Sequence, residues 1–205
     1  MVAGRTVGLV LAAGAGSRMG RPKALVRDGT GRPWVDLAVA TLLDGGCDDV
    51  VVVLGAAARE ARLLIADRPA VRSTVAAHWA NGLGSSLMAG IDTVTSTGDG
   101  VDAVLVSLVD LPDLPAVAVR RVLGPSSHRA SAARQATYAG RPGHPVLLGR
   151  KHWAPLVAGL RAVGDDPTQA DRGAGSYLRS VGAEQVACDD LWDGRDHDRL
   201  PDPVP

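Results

Sequence analysis

The chain has 205 residues, 46% of them apolar and 21% charged, with 22 basic side chains balanced by 22 acidic ones. That length suits one sizeable core, and the charge balance excludes a global field for attracting nucleic acid or an acidic membrane. Two cysteines, Cys47 and Cys188, exclude a disulfide framework and point to reduced thiols in a cytoplasmic setting. From the amino terminus, the apolar run over 7–13 reads as a buried parallel strand. It is too short to span a membrane, and its flanks make a poor signal peptide. A helix over 34–43 ends at Gly45-Gly46, and a short apolar strand follows over 50–54. Next come a helix over 59–66, a weaker strand over 73–77, a helix over 85–94 and a buried strand over 103–108. Over 128–148 the pieces shorten into a hairpin about Gly140-Arg141-Pro142-Gly143, and helices follow near 153–160 and 175–181. This alternation predicts a single-domain, Rossmann-like, three-layer α/β/α fold with a mostly parallel sheet and a late hairpin insertion. Residues 1–200 form that domain, and 201–205 read as a disordered tail.

The most informative stretch joins the first strand to the first helix: Leu11-Ala12-Ala13-Gly14-Ala15-Gly16-Ser17-Arg18-Met19-Gly20-Arg21-Pro22-Lys23. Glycines let backbone N–H groups approach an anion, and Arg18 and Lys23 can neutralise it. The spacing Gly14, Gly16, Gly20 departs from the dinucleotide fingerprint, with Met19 at the third-glycine position. Lys23 is followed by Ala24 rather than Ser or Thr, so the loop is not a P-loop either. It reads as a cradle of a third type for a nucleoside triphosphate. Asp110 ends an apolar strand, beyond the carboxyl edge where ligands of such sheets bind. There a carboxylate suits Mg²⁺, and Asp113 is left to cap the helix opening near Pro115.

These residues resemble the molybdenum cofactor cytidylyltransferase-like (MobA-like) nucleotidyltransferase family. Three further stretches carry the resemblance: Trp79-Ala80-Asn81-Gly82-Leu83-Gly84-Ser85-Ser86-Leu87, Asp110-Leu111-Pro112, and Gly140-Arg141-Pro142-Gly143-His144-Pro145-Val146. It implies a Mg²⁺-dependent enzyme that moves NMP from an NTP, CMP from CTP being favoured, to a phosphorylated acceptor, with release of pyrophosphate. Molybdopterin is the first acceptor it suggests, and a molybdoenzyme would receive the product. Arg18, Lys23 and Asp110 would be catalytic: Arg18 would grip the β/γ-phosphates as a bidentate donor, and Lys23 would act as a mobile point charge near the α-phosphate or the acceptor phosphate. The backbone of Leu11, Ala12 and Ala13, the loop at Gly14 and Gly16, and Asn81, Gly82, Ser85 and Ser86 would bind the nucleotide. A methyl at Ala13 would narrow the base slot in favour of a pyrimidine.

The resemblance also supplies the metal's second ligand. A late acidic motif appears as Asp196, Asp198 and Asp202, with Asp198 in the metal position, although Arg199-Leu200 stands where the family has Thr-Pro. Gly175 falls where the family places an arginine. His144 would line the acceptor pocket, and Trp79 would stack on a flat ring or pack internally. Two rivals stand beside this reading. One is an NAD(P)H-dependent oxidoreductase of the nicotine blue type, disfavoured by Met19 and by the lack of a ribose-binding acid. The other is a non-catalytic molybdenum cofactor chaperone, disfavoured by the intact Arg18, Lys23 and Asp110.

Overall fold

The strand Arg5–Ala12 (β1) is apolar on both faces because helices cover both. Val7, Leu9 and Leu11 turn to one layer, and Val10 and Ala12 to the other. The structure, a computed structural model, describes residues 4–98, 100–163 and 173–197. After β1 come α1 (Trp34–Asp44), β2 (Asp49–Leu54), α2 (Ala58–Arg62), β3 (Val71–Val75), α3 (Leu83–Ser96), β4 (Val101–Leu108) and α4 (Ala116–Leu123). They are followed by β5 (Ala133–Tyr138), β6 (Arg141–Gly149), α5 (Trp153–Val163), α6 (Gly175–Ser180) and β7 (Glu184–Ala187).

The described strands form one seven-stranded sheet in the order β3-β2-β1-β4-β6-β5-β7. The first four in that order run parallel, β6 runs antiparallel to both β4 and β5, and β7 runs parallel to β5. The fold is therefore the three-layer α/β/α arrangement with a late hairpin. One layer packs Trp34, Val39 and Leu42 of α1 and Val119 and Val122 of α4 on Val10, Val52 and Leu105. The other packs Leu87 and Ile91 of α3, Leu156 of α5 and Leu178 of α6 on Leu9, Val104 and Val146. Truncating one of these fully buried side chains to Ala costs about 2–5 kcal/mol. α3 lies close on the sheet: a Cβ on Gly90 would come within 3.0 Å of Val53 and 3.2 Å of Leu9.

Four local expectations need correction. The first strand ends at Ala12, one residue short of 13. The helix expected over 59–66 stops at Arg62: the Leu63, Leu64 and Ile65 N–H groups bond three residues back instead of four, and the Ala66 N–H goes to the Asp36 carboxylate at 3.3 Å. The hairpin turn is Ala139-Gly140, with φ of 48° and 71°, so Arg141 already belongs to β6. α4 opens on Pro115 with no side-chain cap. Proline at the cap position has no side-chain acceptor to offer, and Asp113 is engaged by His197. The tail 201–205 lies outside the described residues. Among those residues, no helix is long and apolar enough to cross a membrane. Both cysteines are free and buried, and burial pushes the Cys47 thiol up to about 12, which makes it inert.

Candidate functional site

The glycine loop leaves β1 at its carboxyl end and folds back on itself. The Met19 N–H donates to the Gly16 carbonyl at 2.9 Å, and Met19 packs against the core. Gly16 sits at φ 66°, and a Cβ there would run into the Arg21 carbonyl oxygen. Only glycine fits on both counts. Arg18 is thereby left on the exposed crest of the loop. The chain then enters a tight 3₁₀ turn over Lys23–Leu25, where the Leu25 N–H bonds the Pro22 carbonyl at 3.0 Å.

That turn aims Lys23 at Asp110. Its Nζ donates to Asp110 Oδ2 at 2.7 Å, joining residues 87 positions apart. Both side chains are largely buried, 16% and 14% exposed. The other carboxylate oxygen, Asp110 Oδ1, is buried with no hydrogen-bond partner among the described residues. An orphaned anionic oxygen beside a lysine fits a hard cation that takes few protein oxygens and completes its shell with phosphate and water. Asp110 is thus a side chain that could hold Mg²⁺. Among the described residues no cluster of three or more His, Cys, Asp or Glu forms a metal site. Asp198 and Asp202 lie outside those residues, and Asp196 is exposed.

The end of the described chain nevertheless returns to this place. Trp192 meets the Tyr138 ring edge-on at 5.3 Å between centroids. The His197 N–H then bonds the Asp110 carbonyl oxygen at 3.0 Å. Its ring Nε2 lies 2.7 Å from Asp113 Oδ2, and the ring meets Trp34 edge-on at 5.5 Å. His197 is a residue that sequence reasoning missed; its signal was its place inside the acidic late motif. It takes up Asp113, the expected helix cap.

The expected base contacts are only partly available. The Leu11 carbonyl accepts from the Val109 N–H at 3.2 Å, and the Ala13 carbonyl from the Ala56 N–H at 3.0 Å. The Ala13 methyl packs beneath Gly55, where an added Cβ would lie 2.8 Å from it and 2.7 Å from the Trp79 ring. That methyl spaces the ends of β1 and β2 instead of narrowing an open slot, and Trp79 takes its packing role. Gly82 enters α3 at φ 102° and, having no side chain, supplies no cap of its own. N–H groups at a helix start suit a phosphate or a carbonyl. Asn81 is exposed and Ser85 half-buried, whereas Ser86 is buried at 4% exposure.

Two concavities adjoin these residues. The larger, about 960 Å³, runs along the outer face of α3 and shares only Asn81, Gly84 and Ser85 with the stretch that carries the resemblance. The smaller, about 230 Å³, lies under the carboxyl ends of β1 and β4, between α3, α6 and the hairpin. It reaches Leu11, Gly175 and His144. Burial lowers the His144 imidazole to about 4, with the negative charge of Asp110 pulling the other way. His144 is therefore neutral at physiological pH.

A family model described as the MobA-like NTP transferase domain matches residues 8–185. The chain belongs to the MobA-like NTP transferase family. It is 39% identical over 196 residues to the nicotine blue oxidoreductase of Paenarthrobacter nicotinovorans, covering 94% of this chain and 92% of that one. Its fold matches that of Rv0371c from Mycobacterium tuberculosis H37Rv, with a TM-score of 0.72 at 22% identity over 91% of this chain and 89% of that one. A manganese complex of the same mycobacterial protein matches with a TM-score of 0.62 at 19% identity, covering 90% and 88%. A nucleotidyl transferase from Methanothermobacter thermautotrophicus matches with a TM-score of 0.64 at 21% identity, covering 90% and 88%. These matches show that the fold is shared.

Proposed function

We propose that this protein is a cytoplasmic nucleotidyltransferase that moves NMP from an NTP to a phosphorylated small-molecule acceptor and releases pyrophosphate. The observation that carries the reading is the Lys23–Asp110 pair at the mouth of the glycine loop, with Asp110 Oδ1 unpartnered among the described residues. In nucleotidyl transfer an acceptor oxygen attacks the α-phosphorus, and charge builds on the α-oxygens and the departing pyrophosphate. Fixed cations stabilise that charge more than they stabilise the ground state. Lys23, held by Asp110, supplies one positive charge at the α-phosphate. Arg18, on the loop crest, takes the β/γ-phosphates in a bidentate grip, and the N–H groups around Gly14 and Gly16 cradle the chain of phosphates. Asn81, Gly82 and Ser85 face the nucleoside. No general base is required when the acceptor is already a phosphate anion.

Asp110, joined by Asp198, would hold Mg²⁺, which supplies charge neutralisation on the phosphates when bound. The manganese held by the mycobacterial relative supports a divalent ion at such a fold. CTP as donor and molybdopterin as acceptor follow from the family resemblance, with a molybdoenzyme as the recipient of the product. The test is a pyrophosphate-release screen of the four NTPs against molybdopterin and a panel of sugar and alcohol phosphates. Release that requires one NTP and one acceptor is the expected result, and no release from any pair overturns the reading.

One observation favours a second reading, the 39% identity to nicotine blue oxidoreductase. A dinucleotide-binding Rossmann site places a carboxylate near the end of its second strand. Here β2 ends in Leu54-Gly55, pressed on Ala13 and Trp79, with no acid to take a ribose. Consumption of NADH or NADPH in the presence of a coloured heteroaromatic, without pyrophosphate release, would decide for the oxidoreductase.

A further inference from the structure

The stretch 192–197 ties together parts of the site that lie far apart in the chain. Trp192 meets Tyr138 of β5 edge-on, and a Cβ added at Gly194 would lie 2.5 Å from that same ring. Tyr138 donates its hydroxyl to the His144 carbonyl at 2.8 Å, so the stretch is seated on the hairpin. Its other end lies just past β4, where the His197 N–H meets the Asp110 carbonyl oxygen at 3.0 Å.

The His197 side chain holds that N–H in place. Its Nε2 lies 2.7 Å from Asp113 Oδ2, and a carboxylate only accepts, so Nε2 carries the proton in either charge state of the ring. The edge contact with Trp34, buried at the start of α1, fixes the ring from a second side. Asp110 is thereby held twice, by Lys23 at Oδ2 and by His197 at the main-chain carbonyl. One hold alone would let the carboxylate swing about the Lys23 contact; two fix the direction of Oδ1.

We infer that His197 is a positioning residue for Asp110: latched to Asp113 and Trp34, it keeps its N–H on the Asp110 carbonyl and so aims Oδ1 at the divalent ion. The inference rests on the metal role proposed above for Asp110. His197 is 33% exposed and Asp113 62%, and a pair of that kind is worth up to about fivefold in an equilibrium.

The experiment compares the full chain with His197→Ala, His197→Gln, Asp113→Ala, the His197→Ala/Asp113→Ala double variant and Asp110→Asn. Thermal melts establish that each is folded. Hydrogen exchange of the residue 197 amide reads the latch, and a paramagnetic resonance titration with Mn²⁺, without nucleotide, reads Asp110. Wild type should bind Mn²⁺, and Asp110→Asn should abolish that binding. His197→Ala and Asp113→Ala should each speed the exchange and weaken Mn²⁺ by about three- to fivefold. The double variant should do no worse than either, because all three lose the same contact. Glutamine places a nitrogen donor where Nε2 stands, so His197→Gln should restore both readings to within twofold of wild type. Pyrophosphate release at limiting Mn²⁺ should fall in step, with KM for the NTP within twofold. Additive losses, no rescue by glutamine, Mn²⁺ binding unchanged in His197→Ala or Asp110→Asn, or no Mn²⁺ binding at all would overturn the assignment. Mn²⁺ binding that depends on the latch, without pyrophosphate release from any NTP, would sink the transfer reading and keep the positioning role. Release as fast in His197→Ala as in wild type at limiting Mn²⁺ would do the reverse.

Discussion

Asp36 and Asp110 are equally hidden carboxylates, 11% and 14% exposed, and each is paired with a cation. Asp36 is saturated: Oδ1 accepts from Arg68 at 2.6 Å and from the Ala66 N–H at 3.3 Å, and Oδ2 from Arg32 at 3.1 Å. It ties the start of α1 to the segment before β3. Burial alone would raise its pKa, but the hydrogen bonds from Arg68, Arg32 and the Ala66 N–H outweigh that and hold it below the usual carboxylate range. Asp110 has one oxygen on Lys23 and the other on no described residue. Burial and ion pairing therefore do not distinguish the two acids. Unused hydrogen-bonding capacity does, and it is what the proposed metal role of Asp110 rests on.

The largest effect should come from Asp110→Asn. The amide keeps the shape but loses the charge, so kcat for pyrophosphate release should fall by about 10²–10³ or more while nucleotide Kd moves far less. Equal loss in binding and turnover would make Asp110 a structural acid like Asp36. Lys23→Ala removes the partner and should cost on the order of 2–4 kcal/mol of barrier, read as a matching fall in kcat/KM.

The pH dependence of stability separates the two regions in another way. The folded His144 pKa lies near 4 against about 6.5 in an unfolded chain, so the unfolded state takes up this proton first as pH falls. Stability should decline between about pH 6.5 and 4, by up to about 3 kcal/mol, and discounting for the partial exposure of His144 makes that an upper bound. Urea unfolding of His144→Gln should show the slope removed. Asp36 has a depressed folded pKa, so its contribution is present above about pH 4 and is lost as pH drops further. The smallest effect is Asp36→Ala, about 1–3 kcal/mol of stability by urea titration, with kcat per folded molecule unchanged. A drop in kcat there would erase the contrast between the two acids.

Sequence alone fixed much of this protein. Hydrophobic period set the strands and helices in order, because a strand covered on both sides must be apolar throughout and a helix on the sheet must carry an apolar stripe. The glycine loop was legible because Gly16 answers to local backbone geometry and a close approach from Arg21, only five positions away. Contacts across long separations were not legible. Asp113 faces His197 across 84 positions, the Ala66 N–H goes to Asp36, and the Ala13 methyl turns to Gly55. Which oxygen of Asp110 has no partner among the described residues, and that Gln135 and His144 share one small cavity, were decided only when the sheet brought distant strands together. Local chemistry is written in neighbouring residues; whether a polar group finds a partner depends on everything packed around it.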